Sequence, residues 1–257
     1  MNTIYDTVLW GASLRGIQKA VELKNQGQNV ILLNKYGFPG GSITESLSCL
    51  LDRDFFDDVP GMAQVFQYVQ NQRFGLLYES KEKVLIHPEA VKRASWNLIR
   101  ENNLDILFHV LPLNVVKKDD LISIRLFGRE GEFEITTRRF EDYSDDSFLS
   151  NFLYQTGPDN PFVKINCFFT SVKVNMEAAL GIYQSVSTDI GHFVSLPWEQ
   201  VQRENIETYF NTVLDGLAVE AWKNYGVRMR IMPVFPGISN TGETSKEQSS
   251  PHRGNDS

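Results

Sequence analysis

Six residues, Gly11-Ala12-Ser13-Leu14-Arg15-Gly16, constrain the fold of this 257-residue chain more than any other stretch. They follow Ile4 to Trp10, a short apolar run that reads as a strand buried on both faces. They open a segment in which Ile17, Ala20, Val21 and Leu23 recur at helical spacing up to Gly27, a residue type suited to ending a helix. Asn29 to Asn34 is a second apolar strand. Strand, glycine turn, helix and strand within about 30 residues form a βαβ unit, which closes right-handed and in parallel.

In a turn of this kind the first glycine makes the tight bend, the second lets backbone approach a pyrophosphate, and the third lets helix and strand pack closely. Gly11 and Gly16 hold the first and third places, and Ser13 holds the second. Serine is small enough to keep the approach open, and its hydroxyl can donate to a phosphate oxygen. The helix amino terminus adds orphan N–H groups and partial positive charge. Arg15 places a cation in the first turn, where it opposes the helix dipole unless an anion lies nearby. Asn34 stands at the end of the second strand, where an acidic residue would hold ribose hydroxyls; its amide can donate and accept, without the strength of a carboxylate.

Beyond the unit, Tyr36 to Ser48 is rich in Gly and Ser, and Val65, Phe66 and Val69 mark a helical stretch before Phe74. Val84-Leu85-Ile86 reads as a strand, and Pro88 opens a helix carrying Ala90, Val91, Ala94, Trp96, Leu98 and Ile99. Leu104 to Val110, Leu113 to Val116, Leu121 to Phe127 and Glu132 to Thr137 read as strands of an antiparallel meander. Phe162 to Val174 alternates as β structure, Pro197 to Tyr225 reads as a helix broken near Asp215-Gly216, and Val227 to Val234 as a last strand. The aromatics Trp198, Tyr209, Phe210 and Trp222 are read as one packed face of that helix.

The fold class expected is α/β: a Rossmann-type parallel sheet with an inserted antiparallel meander and a C-terminal α+β portion. Residues 1–150 form the dinucleotide-binding part, with the meander at about 104–137. Residues 151–238 form a substrate or partner portion, and 239–257 a polar, disordered tail.

The formal net charge of −7, without a long basic run, excludes a nucleic-acid partner. No signal peptide or stretch of about 18 apolar residues is present, so no membrane is expected and the protein is read as cytoplasmic. Cys49 and Cys167 stand far apart and are read as packed thiols, and the four histidines show no metal-ligand spacing. His87 is read as starting a helix and His109 as a strand histidine, with His192 an unsupported substrate-side candidate. The pairs Asp57-Asp58 and Asp145-Asp146 are read as solvated loop charge, not a metal site. No catalytic residue stands out.

Asp6 to Gly11, Leu33-Asn34-Lys35 and Pro39-Gly40-Gly41-Ser42 together resemble the FAD-dependent oxidoreductases of the glutathione-reductase-like superfamily. Ile86 to Lys92 resembles the segment that starts the helix before that family's meander, so the likeness spans roughly residues 1 to 150. It implies FAD as cofactor, held by Gly11, Ser13, Leu14, Arg15, Gly16, Asn34, Lys35, Gly40, Gly41 and Ser42, with Gly40 and Gly41 running near the pyrophosphate and flavin end. It also implies flavin hydride or electron transfer on a small-molecule substrate. The chain departs from the family pattern at Ser13 and Asn34, at Tyr143 where a small residue is usual, and in having no late Gly-Asp segment. Those departures motivate a second reading, a non-catalytic flavoprotein-like subunit serving as a binding or assembly partner, as another chain or a homo-oligomer would require. A Rossmann domain using NAD(P) is a third reading, compatible with Asn34.

Overall fold

The computed structural model of the protein describes residues 4–57, 62–144 and 158–240. Its first elements are strand β1 (Ile4–Trp10), helix α1 (Leu14–Asn25) and strand β2 (Val30–Asn34), with β1 and β2 parallel. The amphipathic spacing buries Leu14, Ile17, Ala20 and Leu23 of α1 against the sheet. Each large aliphatic buried in this way stabilises the fold by about 1.5–3 kcal/mol. Gly27, at a φ of 80°, turns the chain after the helix in the left-handed conformation that glycine adopts without a Cβ clash.

A short helix α2 (Ser42–Glu45) follows the Gly-Gly pair. Strands β3 (Leu50–Asp52), β4 (Leu76–Glu79) and β5 (Lys83–Ile86) make a small antiparallel sheet in the order β3-β5-β4. Helices α3 (Met62–Gln70) and α4 (Pro88–Glu101) complete this region. The main sheet adds β6 (Asp105–Phe108), β7 (Leu111–Lys118), β8 (Leu121–Gly128) and β9 (Gly131–Asp142), giving the order β6-β2-β1-β9-β8-β7.

In the first half, two boundaries differ from the sequence-based expectation. The strand at 104–110 is not part of the meander: β6 runs parallel to β2 and closes one edge of the Rossmann sheet. The last meander strand does not stop at Thr137 but continues to Asp142. Its residues from Gly131 to Thr137 pair antiparallel with β8, while those from Thr136 to Asp142 pair parallel with β1. One long strand therefore serves as both meander edge and return strand.

The second half contains β10 (Phe162–Lys164), β11 (Asn166–Phe169), helix α5 (Val174–Ala179), β12 (Gln184–Thr188), β13 (Gly191–Ser195) and β14 (Glu199–Gln200). Helix α6 (Ile206–Tyr225), β15 (Met229–Ile231) and β16 (Gly237–Ser239) follow. The helix expected from Pro197 starts only at Ile206, because Glu199 and Gln200 pair with β10. It is unbroken at Gly216, where a twenty-residue helix carries one glycine through. Such a glycine costs about 1 kcal/mol relative to alanine, too little to break a helix whose Phe210, Leu214, Leu217 and Ala221 are buried. The proposed aromatic face is also not one face: Trp198 lies outside the helix and Trp222 is half exposed. The segment assigned to a tail at Ser239 begins with a buried strand residue, and residues 241–257 lie outside the described residues.

Phe168 of β11 and Phe193 of β13 meet edge to face at 5.4 Å and are fully buried in the same core as Leu9, Ile17, Leu32 and Ile86. The second half is thus packed into the core of the first. Among the described residues no helix is long and apolar enough to cross a membrane, and no group of three or more His, Cys, Asp or Glu converges to hold a metal ion.

Candidate functional site

The parallel strands β1, β2 and β6 end together, and their carboxyl ends are where an open α/β sheet binds ligands. At that edge Gly11 adopts a φ of 95°, and its Cα side is closed by the backbone of Tyr143 and Ser144: an added Cβ would lie 2.5 Å from Ser144 N. An added Cβ on Gly16 would lie 2.3 Å from Gly11 O, so this glycine lets α1 sit directly on the turn. These are the tight-bend and close-packing roles that the spacing predicts.

Ser13 caps α1. Its Oγ accepts the Gly16 N–H at 3.2 Å, and its carbonyl accepts Ile17 N–H at 2.9 Å. The buried N–H groups of Ser13 and Leu14 have no acceptor among the described residues. Unpartnered N–H groups in the first turn of a helix carry partial positive charge and can donate to an anion. The Ser13 hydroxyl hydrogen remains available to the same anion, because that hydroxyl acts only as acceptor toward Gly16.

Ala12, between the two, is gripped from both sides. Asn34 Oδ1 accepts its N–H at 2.9 Å, and Gly40 N–H donates to its carbonyl at 2.7 Å. The Asn34 amide hydrogens go to the carbonyls of Tyr36 and Phe38, at 3.1 and 3.0 Å. The donor role toward a ribose expected of Asn34 is therefore already taken, and Asn34 instead braces the phosphate turn against the loop that carries the Gly-Gly pair. Gly40 and Gly41 both take positive φ, 120° and 60°, and Thr44 fills the space beside Gly40 while donating to Gly41 O and Pro39 O. Gly37 lies flush against the imidazole of His109, which sits in the turn after β6 with a φ of 56° and not within a strand.

The two cations expected near the cofactor are placed differently. Lys35 Nζ lies 5.3 Å from the centre of the Tyr36 ring and 5.0 Å from that of Phe235. The Arg15 guanidinium lies 5.5 Å from the Phe55 ring. Ser42 is the first residue of α2, and Leu14 points its side chain into the core. Tyr143 packs its backbone against Gly11 and its Cβ beside Gly16, while its hydroxyl donates to Glu141 and its N–H to Trp10 O. His87 acts as a helix cap, its Nδ1 accepting the Glu89 N–H at 3.1 Å. A cleft of about 740 Å³ between Lys118, Asp120 and Glu134 lies at the amino-terminal end of β1, where Ile4 pairs with Thr136, and takes no part in this site.

Sequence reasoning missed a second polar group just beyond the Gly-Gly pair. Val234 and Phe235 both donate their N–H groups to Glu45 O, and an added Cβ on Gly237 would lie 3.3 Å from Ser48 Oγ. Asn166 donates to Ser46 O at 3.1 Å, and Gly237 pairs with Lys164. Lys164 is only 8% exposed, and burial pushes its pKa below 10.5, the nearby Lys83 adding to the same effect. The available signal was a lysine and an asparagine alternating with apolar residues in Phe162-Val163-Lys164-Ile165-Asn166-Cys167.

The family described as FAD dependent oxidoreductase matches residues 6–153, more than half of the chain and all of the turn, brace and Gly-Gly loop. No curated protein matches at the level of sequence. Among solved structures the fold is similar to p-nitrophenol 4-monooxygenase PnpA from Pseudomonas putida DLL-E4, with a TM-score of 0.57, 12% identity, and coverage of 93% of this chain and 68% of that one. It is similar to CabE, an aromatic hydroxylase from angucycline biosynthesis, at a TM-score of 0.61 and 11% identity over 90% of this chain and 52% of that one. A geranylgeranyl bacteriochlorophyll reductase-like protein from Thermoplasma acidophilum gives 0.60 and 8% over 91% and 66%. The chain thus spans about half to two thirds of the length of these structures. At such identities the likeness is one of fold.

Proposed function

The chain belongs to the FAD dependent oxidoreductase family, and from that premise we propose that it is a flavin-dependent oxidoreductase acting on a small organic molecule. The observation that carries this reading is the pair of buried, unpartnered N–H groups at Ser13 and Leu14, on a turn whose glycines leave no room for side chains. The donor set suits a pyrophosphate: two backbone N–H groups, a serine hydroxyl and a helix amino terminus. When bound, FAD supplies two-electron chemistry, taking up or delivering a hydride equivalent.

In this reading Gly11, Ser13, Leu14 and Gly16 would hold the pyrophosphate, and Asn34 would fix the turn. Gly40 and Gly41, tied to Ala12, would carry the chain toward the flavin end, with Ser42 opening α2 beyond them. Lys35 and Arg15 would lend long-range positive charge. Segment 233–238, whose Val234 and Phe235 N–H groups donate to Glu45 O, would keep water from that end. The second half, 158–240 of the described residues, would shape the substrate pocket.

The test is an absorbance spectrum of the purified protein, with mass spectrometry of what acid releases. FAD at about one per chain, lost in Gly11→Ala, supports the proposal. A protein that stays colourless after incubation with excess FAD overturns it.

A further inference from the structure

We propose that Lys164, between Trp198 and Tyr183, is the anchor for the carboxylate of a small organic acid, and that this acid is the substrate of the proposed flavin reaction. The identification of the ligand as substrate rests on the reading above; the binding itself does not.

Three observations lead to this site. The Lys164 side chain is nine-tenths buried and makes no hydrogen bond to any described residue; its Nζ meets only ring faces, 5.3 Å from the centre of Trp198 and 5.9 Å from that of Tyr183. A buried ammonium without an acceptor is costly, and ring faces offset only part of that cost. Tyr183, one wall of the site, is itself 64% exposed, so the site lies close to the surface.

Charge and shape then define the ligand. Lys83, which acts on Lys164 as a like charge, is itself ion-paired with Asp52 at 2.7 Å, so Lys164 is the cation left to meet a ligand. That charge matches a monoanion better than a phosphate dianion. Trp198 and Tyr183 supply apolar walls for an organic body behind the carboxylate, and a charge-assisted hydrogen bond from the ammonium would hold its head.

The location also fits. Gly237 pairs with Lys164 and lies beside Ser46 and Ser48, while Asn166, two residues along the strand, reaches Ser46 O. The site therefore stands on the seam with α2, directly after Gly40 and Gly41. An anchored acid there would present its organic body to the flavin end of the proposed cofactor site.

Benzoate, benzamide and inorganic phosphate are the probes, titrated into the full-length protein as purified and followed by calorimetry and tryptophan fluorescence. Saturable benzoate binding is expected, weakened about tenfold or more in Lys164→Met, weaker by a similar factor for neutral benzamide, and partly restored in Lys164→Arg. Circular dichroism and FAD content accompany each variant, and Lys164→Met retains both. Equal benzoate affinity in Lys164→Met, equal affinity for benzamide, tighter binding of phosphate, or no saturable benzoate binding each overturn the site. A protein that holds FAD and fails these titrations loses only this proposal. One that binds benzoate through Lys164 and takes up no FAD keeps the anion site and loses the flavin reading, and with it the substrate role.

Discussion

Asn34, the last residue of β2, accepts the Ala12 N–H at 2.9 Å, so the turn after one strand is held in place by the end of the next. With both amide hydrogens given to Tyr36 and Phe38, this single side chain ties together the phosphate turn and the loop leading to the Gly-Gly pair. A brace and a ribose ligand make opposite predictions. Asn34→Ala removes three hydrogen bonds from a buried position and costs about 3 kcal/mol. Asn34→Asp keeps the acceptor for Ala12 but turns a carboxylate onto two carbonyl oxygens, and is destabilised as well. Urea midpoints measure both. Unchanged stability together with tighter FAD binding in Asn34→Asp would show that the residue serves the ribose instead.

The glycines divide into those with a neighbour and those without. Gly11→Ala drives a Cβ to 2.5 Å from Ser144 N at a positive φ, and Gly16→Ala drives one to 2.3 Å from Gly11 O. Each is expected to cost about 3 kcal/mol or more and to abolish FAD retention. Gly216→Ala, in open space within α6, is expected to raise stability by about 1 kcal/mol. Thermal midpoints read all three, and a stable, FAD-bearing Gly16→Ala would contradict the close-packing role.

His87 accepts the Glu89 N–H through Nδ1, so only the neutral ring caps α4. Burial is the largest influence on it and holds its pKa below 6.5; Glu89 opposes this, while Arg93 and Lys92 act with burial. Because the folded pKa is depressed, its contribution is fully present above pH 6.5 and is lost as pH falls through the folded value. The expected result is a stability that declines on acidification below about pH 6.5, a decline reduced in His87→Asn, which caps without titrating in this range. Identical pH profiles for the two proteins would exclude this role.

Lys164 carries a depressed pKa for the same first reason, burial, with Lys83 second. Burial disfavours the charged amine in the folded form, so stability is highest above pH 10.5 and falls as pH drops through the folded pKa. Lys164→Met removes that cost and is expected to be more stable than the parent at pH 7, the advantage shrinking as pH approaches 10.5. Denaturant titrations at pH 7 and pH 10 measure it. A variant less stable than the parent at pH 7 would place the ammonium in a favourable structural role.

Much of the site is legible because it is local. The strand before Gly11, the helix after Gly16 and the capping serine are set by residues within a few positions of one another. His87 next to Pro88 likewise reads as a helix start. What failed depended on partners distant in the chain. Arg138 and Arg139 break the alternation that ends the predicted strand, yet β9 continues because β1 supplies parallel partners from Ile4 to Trp10. Glu199 and Gln200 sit at the start of a predicted helix, yet β10 draws them into a sheet.

The sequence by itself determined a Rossmann unit with a tight glycine turn, since glycine spacing, helical periodicity and apolar strands are short-range properties that backbone sterics enforce. Only the tertiary structure decided that Asn34 faces inward to Ala12, and that Lys164, more than a hundred residues from Gly40, stands unpaired beyond the Gly-Gly loop. Both are decided by which polar groups burial leaves facing one another, and no spacing along the chain encodes that.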